Sequence, residues 1–138
     1  MKEDYYHEDV KEALVKDGWT ITDEHLKIKA GARKVYIDLG AEKLIVAQRG
    51  VEKIAVEVKS FLGQSPVNDF SAALGKYDFY KFALRTTLPR RALFIAMPLP
   101  AYDELFSDPF MVEMAKFYAL SLLVFDPAEK NLVTWIKN

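Results

Sequence analysis

Between Val35 and Phe61 the chain strings together three β-prone runs, Val35 to Leu39, Lys43 to Gln48 and Glu52 to Phe61, and then turns at once into a helix-opening signal. Strands in direct succession followed by a helix constrain the architecture more than any other feature. Gly31 and Gly40 punctuate the first run, and the short connection at Arg49-Gly50 joins the other two as an antiparallel hairpin, so the three make a meander. Ser65 is placed to cap a helix whose first position is Pro66, running to about Arg85 with Phe70, Ala73, Leu74, Tyr77 and Leu84 on its core face. After the break at Leu88-Pro89, Ala92 to Met97 reads as a buried strand. Helical turns follow at Tyr102 to Phe106 and at Pro109 to Tyr118, the second capped by Asp108. Leu120 to Phe125 is a buried strand, Asp126-Pro127 a turn and Leu132 to Ile136 a last strand. Upstream, an amphipathic helix spans about Tyr5 to Asp17, ended by Gly18. Two β-stubs, Trp19 to Thr22 and Leu26 to Lys29, flank a charged turn at Asp23 and Glu24. The order predicts an α+β fold, a mixed sheet flanked by helices, and not a doubly wound parallel one.

The length, 138 residues, suits one core, and the absence of repeats, low-complexity stretches and linkers predicts a single domain over residues 1–138. The chain has no cysteine, which excludes thiolate zinc, iron–sulfur clusters and thiol nucleophiles. Hydrophobic residues make up 51% of it, yet no apolar run approaches the ~18 residues of a membrane span. The surplus apolar surface predicts a homo-oligomer, with Pro109 to Tyr118 as the foremost contributor. The opening MKEDYYHEDV lacks the apolar segment of a secretory signal and is too acidic for a transit peptide, so a cytoplasmic protein is expected. With a net charge of -1, any contact with nucleic acid must use a local basic patch. Arg33, Lys34, Arg49, Lys53, Lys76, Lys81, Arg85, Arg90 and Arg91 are available for one, though most such charges are simply solvated.

Strand alternation selects the residues that carry chemistry. In the third run Ile54, Val56 and Val58 take one face while Ala55, Glu57 and Lys59 take the other. In the first run Val35, Ile37 and Leu39 share a face, leaving Asp38 beside Tyr36 as the charged residue of an apolar strand. Charge in such a strand is costly unless paired or metal-bound. An acid followed by Glu-x-Lys suits phosphodiester hydrolysis: Asp38, Glu57 and the Val58 carbonyl as ligands of Mg²⁺, which Mn²⁺ can replace, and Lys59 as the catalytic ammonium. The same residues also suit an ordinary ion pair on a half-exposed strand. Neither a nucleophile elbow nor a phosphate-binding glycine loop is present in the sequence.

The stretches DGWTIT at 17–22, YIDLGAEKLIVA at 36–47, KIAVEVKSF at 53–61 and SPVNDFSAALGKY at 65–77 closely resemble the XisH family, and the likeness runs over nearly the whole chain. These are the fdxN-element excision controlling factors of cyanobacteria. The resemblance implies a restriction-endonuclease-like fold with an α-β-β-β-α-β core, whose acid and Glu-x-Lys signature falls on Asp38, Glu57 and Lys59. It implies a part in excising a DNA element during heterocyst development, alongside a site-specific recombinase and a small companion factor, XisI. A non-catalytic member of the fold, binding a partner protein or DNA, stays open as the alternative reading, as does a purely structural subunit that functions through its apolar interface. Related nucleases place a carboxylate of the first helix near the metal, which makes His7 and Asp9 accessory candidates. They also use a glutamine in the second helix, where this chain has Lys76.

Overall fold

The structure, a computed structural model, describes residues 4–45 and 50–138. Its elements are α1 (His7–Lys16), β1 (Thr20–Ala30), β2 (Arg33–Ile45), β3 (Gly50–Val58), α2 (Pro66–Thr87), β4 (Arg91–Pro98), α3 (Leu99–Phe106), α4 (Pro109–Phe117), β5 (Leu122–Asp126) and β6 (Asn131–Ile136). One six-stranded mixed sheet runs β1-β2-β3-β4-β5-β6. β1, β2 and β3 form the antiparallel meander, β4 and β5 continue parallel to β3, and β6 closes antiparallel. The expected α+β architecture and its α-β-β-β-α-β core are present.

Two details differ from the sequence expectation. The stubs on either side of Asp23 and Glu24 are one strand, β1, and the runs on either side of Gly40 are one strand, β2. Gly40 serves close approach instead of a turn: a Cβ there would lie 2.9 Å from Arg91 Nη1 and 2.9 Å from Asp23 Oδ2. Through that gap the Arg91 guanidinium, from β4, donates to the Ile54 carbonyl on β3 at 2.8 Å and pairs with Asp23 on β1 at 3.4 Å. Gln48 and Arg49, the end of the second run and the first half of the predicted hairpin connection, lie outside the described residues.

Each face of the sheet carries a core. On one, α2 contributes Phe70, Ala73, Tyr77 and Leu84, α3 Leu105 and α4 Met111, packed on Ile37, Ala55 and Ile95. On the other, α1 contributes Val10 and Leu14, with Trp19, against Leu39, Val56, Val58, Phe94 and Phe125. Full burial of each large side chain contributes roughly 1.5–3 kcal/mol, so the four helices are held by packing. Ser65 caps α2 by accepting the Asn68 N–H at 3.2 Å, and Asp108 caps α4 by accepting that of Phe110 at 3.0 Å.

The alternation expected for β3 holds, but that for β2 fails. Ile37 packs with α2 and Leu39 with α1, although residues two apart in a regular strand share a face. Across from the break, between the pairs Leu26↔Ile37 and Glu24↔Leu39, His25 has φ 61°, a left-handed conformation. Asp38 stands between Ile37 and Leu39, where the change of face occurs.

Candidate active site

β2 and β3 pair from Ile45↔Gly50 to Leu39↔Val56 and then part. Beyond the last pair the strands hold each other through side chains. The Val58 N–H donates to Asp38 Oδ2 at 2.7 Å, and the Asp38 N–H donates to Glu57 Oε1 at 3.3 Å. Each carboxylate accepts from the backbone of the opposite strand, so a reciprocal clamp replaces the ladder where the sheet opens. Asp38 Oδ1 and Glu57 Oε2 are the oxygens this clamp leaves over.

The opening is a cleft of about 580 Å³ lined by Asp4, Tyr5, Asp38, Glu57, Val58, Lys59, Ala72, Ala73 and Lys76. Lys59 follows β3 directly, and its N–H donates to the Ala96 carbonyl at 3.0 Å, which anchors the base of its side chain to β4. Lys76 reaches in from α2 and brings its Nζ to 3.6 Å from Glu57 Oε2. Glu57 is buried, with only 6% of its surface exposed. α2 packs over it, because Ala73 and Tyr77 are drawn onto the sheet beside it. Burial, followed by the charge of Asp38, pushes Glu57 up to about 8, with Lys76 opposing the shift.

The model of the family described as XisH protein matches residues 1–133. The chain belongs to the XisH family. Its fold superposes with TM-score 0.87 on the crystal structure of an XisH family protein from Nostoc punctiforme, at 38% identity over 97% of this chain and 100% of that one. A fdxN element excision controlling factor protein from Anabaena variabilis is 40% identical, covering 98% of this chain and 100% of that one, with TM-score 0.87. No curated protein matches the chain significantly.

In this XisH chain the cleft brings together Asp38, Glu57, Val58, Lys59 and Lys76, five of the seven residues singled out in the sequence. His7 and Asp9 lie elsewhere. Asp9 pairs with Lys130 at 3.8 Å. His7 is buried, stacks on His25 at 5.6 Å and lies 3.5 Å from Glu24. Ligand atoms of His7, Glu8 and Glu24 fall within 4.8 Å of one another, a spacing a metal could use. Lys11, however, already sits 3.2 Å from Glu24 and holds its carboxyl below the usual range, so this group reads as an ion-pair network tying α1 to β1.

The carboxylate that does come from the N-terminal side is Asp4. Its Oδ1 accepts the Tyr6 N–H at 3.0 Å and its Oδ2 the Ser60 N–H at 3.2 Å, which fixes the segment before α1 against the segment after β3. An aspartate just ahead of a helix is a recognisable capping signal, but its reach to Ser60 is a tertiary fact. Tyr80, one turn beyond Lys76, was also missed. Burial, with Glu57 and Asp38 adding to it, pushes its phenol up to about 12.

The basic residues are divided. Arg33 and Lys34 open β2 at the cleft's end of the sheet, since β2 runs antiparallel to β3. Lys53 and Arg91 pair at the far end, where Lys81, Arg85 and Arg91 line a separate cavity of about 270 Å³. Arg49 lies outside the described residues.

Proposed function

We propose that the cleft is a divalent-cation-dependent site for phosphodiester hydrolysis in DNA, and that the chain acts in controlling excision of a DNA element, as the name of its Anabaena variabilis relative states for that protein. The observation that carries the proposal is the clamp: two carboxylates from parting strands, each fixed by a backbone N–H, with two lysines at the same opening. Asp38 Oδ1, Glu57 Oε2 and the Val58 carbonyl form an oxygen-only donor set of the kind that suits Mg²⁺ or Mn²⁺. A buried carboxylate whose charge is disfavoured when alone gains most from a cation.

When bound, such an ion supplies positive charge for a phosphate oxygen and for the water beside it. The chain's own residues do the rest. Asp38 and Glu57 are fixed by the clamp, which removes the reorganisation that would otherwise oppose the reaction. Lys59 lines the cleft from a strand end tied to β4, and its ammonium would steady the attacking oxygen and the charge that develops at phosphorus. The reading further assigns the protein to the cytoplasm, in company with an XisI-like companion and a site-specific recombinase. Among the described residues no helix is long and apolar enough to cross a membrane.

The Lys76–Glu57 pair favours one second reading, a non-catalytic nuclease-fold protein that binds a partner or DNA, because an ammonium stands 3.6 Å from the oxygen a cation would use. Incubating supercoiled, branched and single-stranded DNA with Mg²⁺ or Mn²⁺, with and without the companion, separates the two. Catalysis requires cleavage that Glu57→Gln abolishes and that Lys59→Ala lowers by ~10²–10³, the usual cost of one lost electrostatic contact. Cleavage indifferent to both substitutions, or no cleavage together with no bound metal, refutes it.

A further inference from the structure

The cleft holds two lysines, and they are anchored differently. Lys59 starts from a strand end hydrogen-bonded to β4 and has no ion pair among the described residues. Lys76 stands on α2 with a side chain 64% exposed, and its ammonium reaches in to Glu57 Oε2, on a carboxylate only 8% exposed. The pair therefore joins a fixed buried acid to a flexible, solvated arm. Glu57 Oε1 is committed to the Asp38 N–H, so Lys76 occupies the oxygen that a cation in the cleft would need.

We propose that Lys76 is a displaceable counter-cation of this site: its ammonium and a divalent ion compete for Glu57, and loading the cleft turns Lys76 outward toward the substrate's phosphates. The inference rests on the metal-site reading above. A carboxylate oxygen ~2.1 Å from Mg²⁺ leaves no place for an ammonium in contact with the same oxygen, and the two positive charges repel. Lys76 can leave without disturbing the fold, because its stem has four rotatable carbons and its position on α2 is solvated. Lys59, directed from the strand, keeps its place. The arrangement makes Lys76 a specificity-determining residue: the cleft accepts an ion only when the ion outcompetes a tethered monovalent charge, which favours divalent over monovalent cations.

The test is Mn²⁺ binding to the full chain by calorimetry and by electron paramagnetic resonance, for wild type, Lys76→Met, Lys76→Arg and Glu57→Gln. Removing the competitor should tighten Mn²⁺ binding up to ~5-fold in Lys76→Met, the range an ion pair of this exposure commands. Lys76→Arg, which retains the charge, should stay within about twofold of wild type on the same argument. In parallel, the Lys76 side-chain ammonium resonance should shift and broaden as Mg²⁺ is added, because release from Glu57 exposes its protons to exchange with water, and an unchanged resonance overturns the displacement. Equal or weaker Mn²⁺ binding in Lys76→Met, with Glu57→Gln still abolishing it, overturns the competition and leaves the metal site standing. Undiminished binding in Glu57→Gln, or none in any variant, overturns both.

Discussion

Replacing Glu57 by glutamine should make the metal-free protein more stable, and increasingly so as pH rises. The folded carboxyl titrates at about 8, against 4.5 when unperturbed, because it is buried and faces the charge of Asp38, with Lys76 offsetting part of the effect. A folded pKa above the unfolded one contributes stability that is complete below about pH 4.5 and is lost as pH rises through 8. Each pH unit in that window costs up to about 1.4 kcal/mol, so the loss grows to a few kcal/mol toward the alkaline end. That is a large share of the ~5–15 kcal/mol that stabilises a domain. Glutamine stays neutral throughout and keeps an oxygen for the Asp38 N–H. Urea unfolding of both proteins from pH 4.5 to 9, without divalent ions, should therefore show nearly equal stability at the acid end and a widening advantage for glutamine toward the alkaline end. Acids remote from the clamp titrate alike in both proteins and cancel in the difference. If the cleft takes a cation as proposed, adding Mg²⁺ at pH 8 should restore wild type selectively. A stability difference that stays flat with pH would refute the reasoning.

Asp38→Ala should destabilise the protein by ~1–3 kcal/mol in the same assay, because the Val58 N–H loses its acceptor at the opening of the sheet, whereas Asp38→Asn, which keeps one, should cost less. The protein should self-associate through α4, where Phe110 and Phe117 are 70% and 80% exposed; light scattering should show association that Phe117→Glu weakens, and a monomer at high micromolar concentration would refute it. Binding to DNA should weaken steeply with salt, since with a net charge of -1 it must rest on local phosphate contacts, and a salt-independent isotherm would point to a protein partner.

The strands, the long helix and the acid with Glu-x-Lys were legible because each has a local cause: β-branched runs, the Ser65-Pro66 opening and alternation along β3. What escaped the sequence depended on distant partners. Gly40 looked like a strand end because glycine usually interrupts strands, and only the approach of Arg91 and Asp23 explains it in mid-strand. The face of Asp38 could not be counted from Val35, since Ile37 and Leu39, on either side of it, pack on opposite faces of the sheet. His7 and Asp9 were sought inside α1, whereas the carboxylate that reaches the cleft is Asp4, ahead of the helix. The burial of Glu57 depends on where α2 comes to rest, which no pattern within β3 records.

The Arg91 side chain, laid across Gly40, ties the outermost strand to the interior of the sheet. Among the described residues β1 has only β2 as a backbone neighbour, and an edge of that kind is where sheets fray and where foreign strands add. Because one guanidinium grips the Ile54 carbonyl and the Asp23 carboxylate together, β1 near Asp23 cannot peel away without also surrendering a contact that belongs to β4. Opening of the edge is thereby linked to opening of the centre, and substitutions at Gly40, Asp23 and Arg91 should act on stability as one unit instead of adding independently.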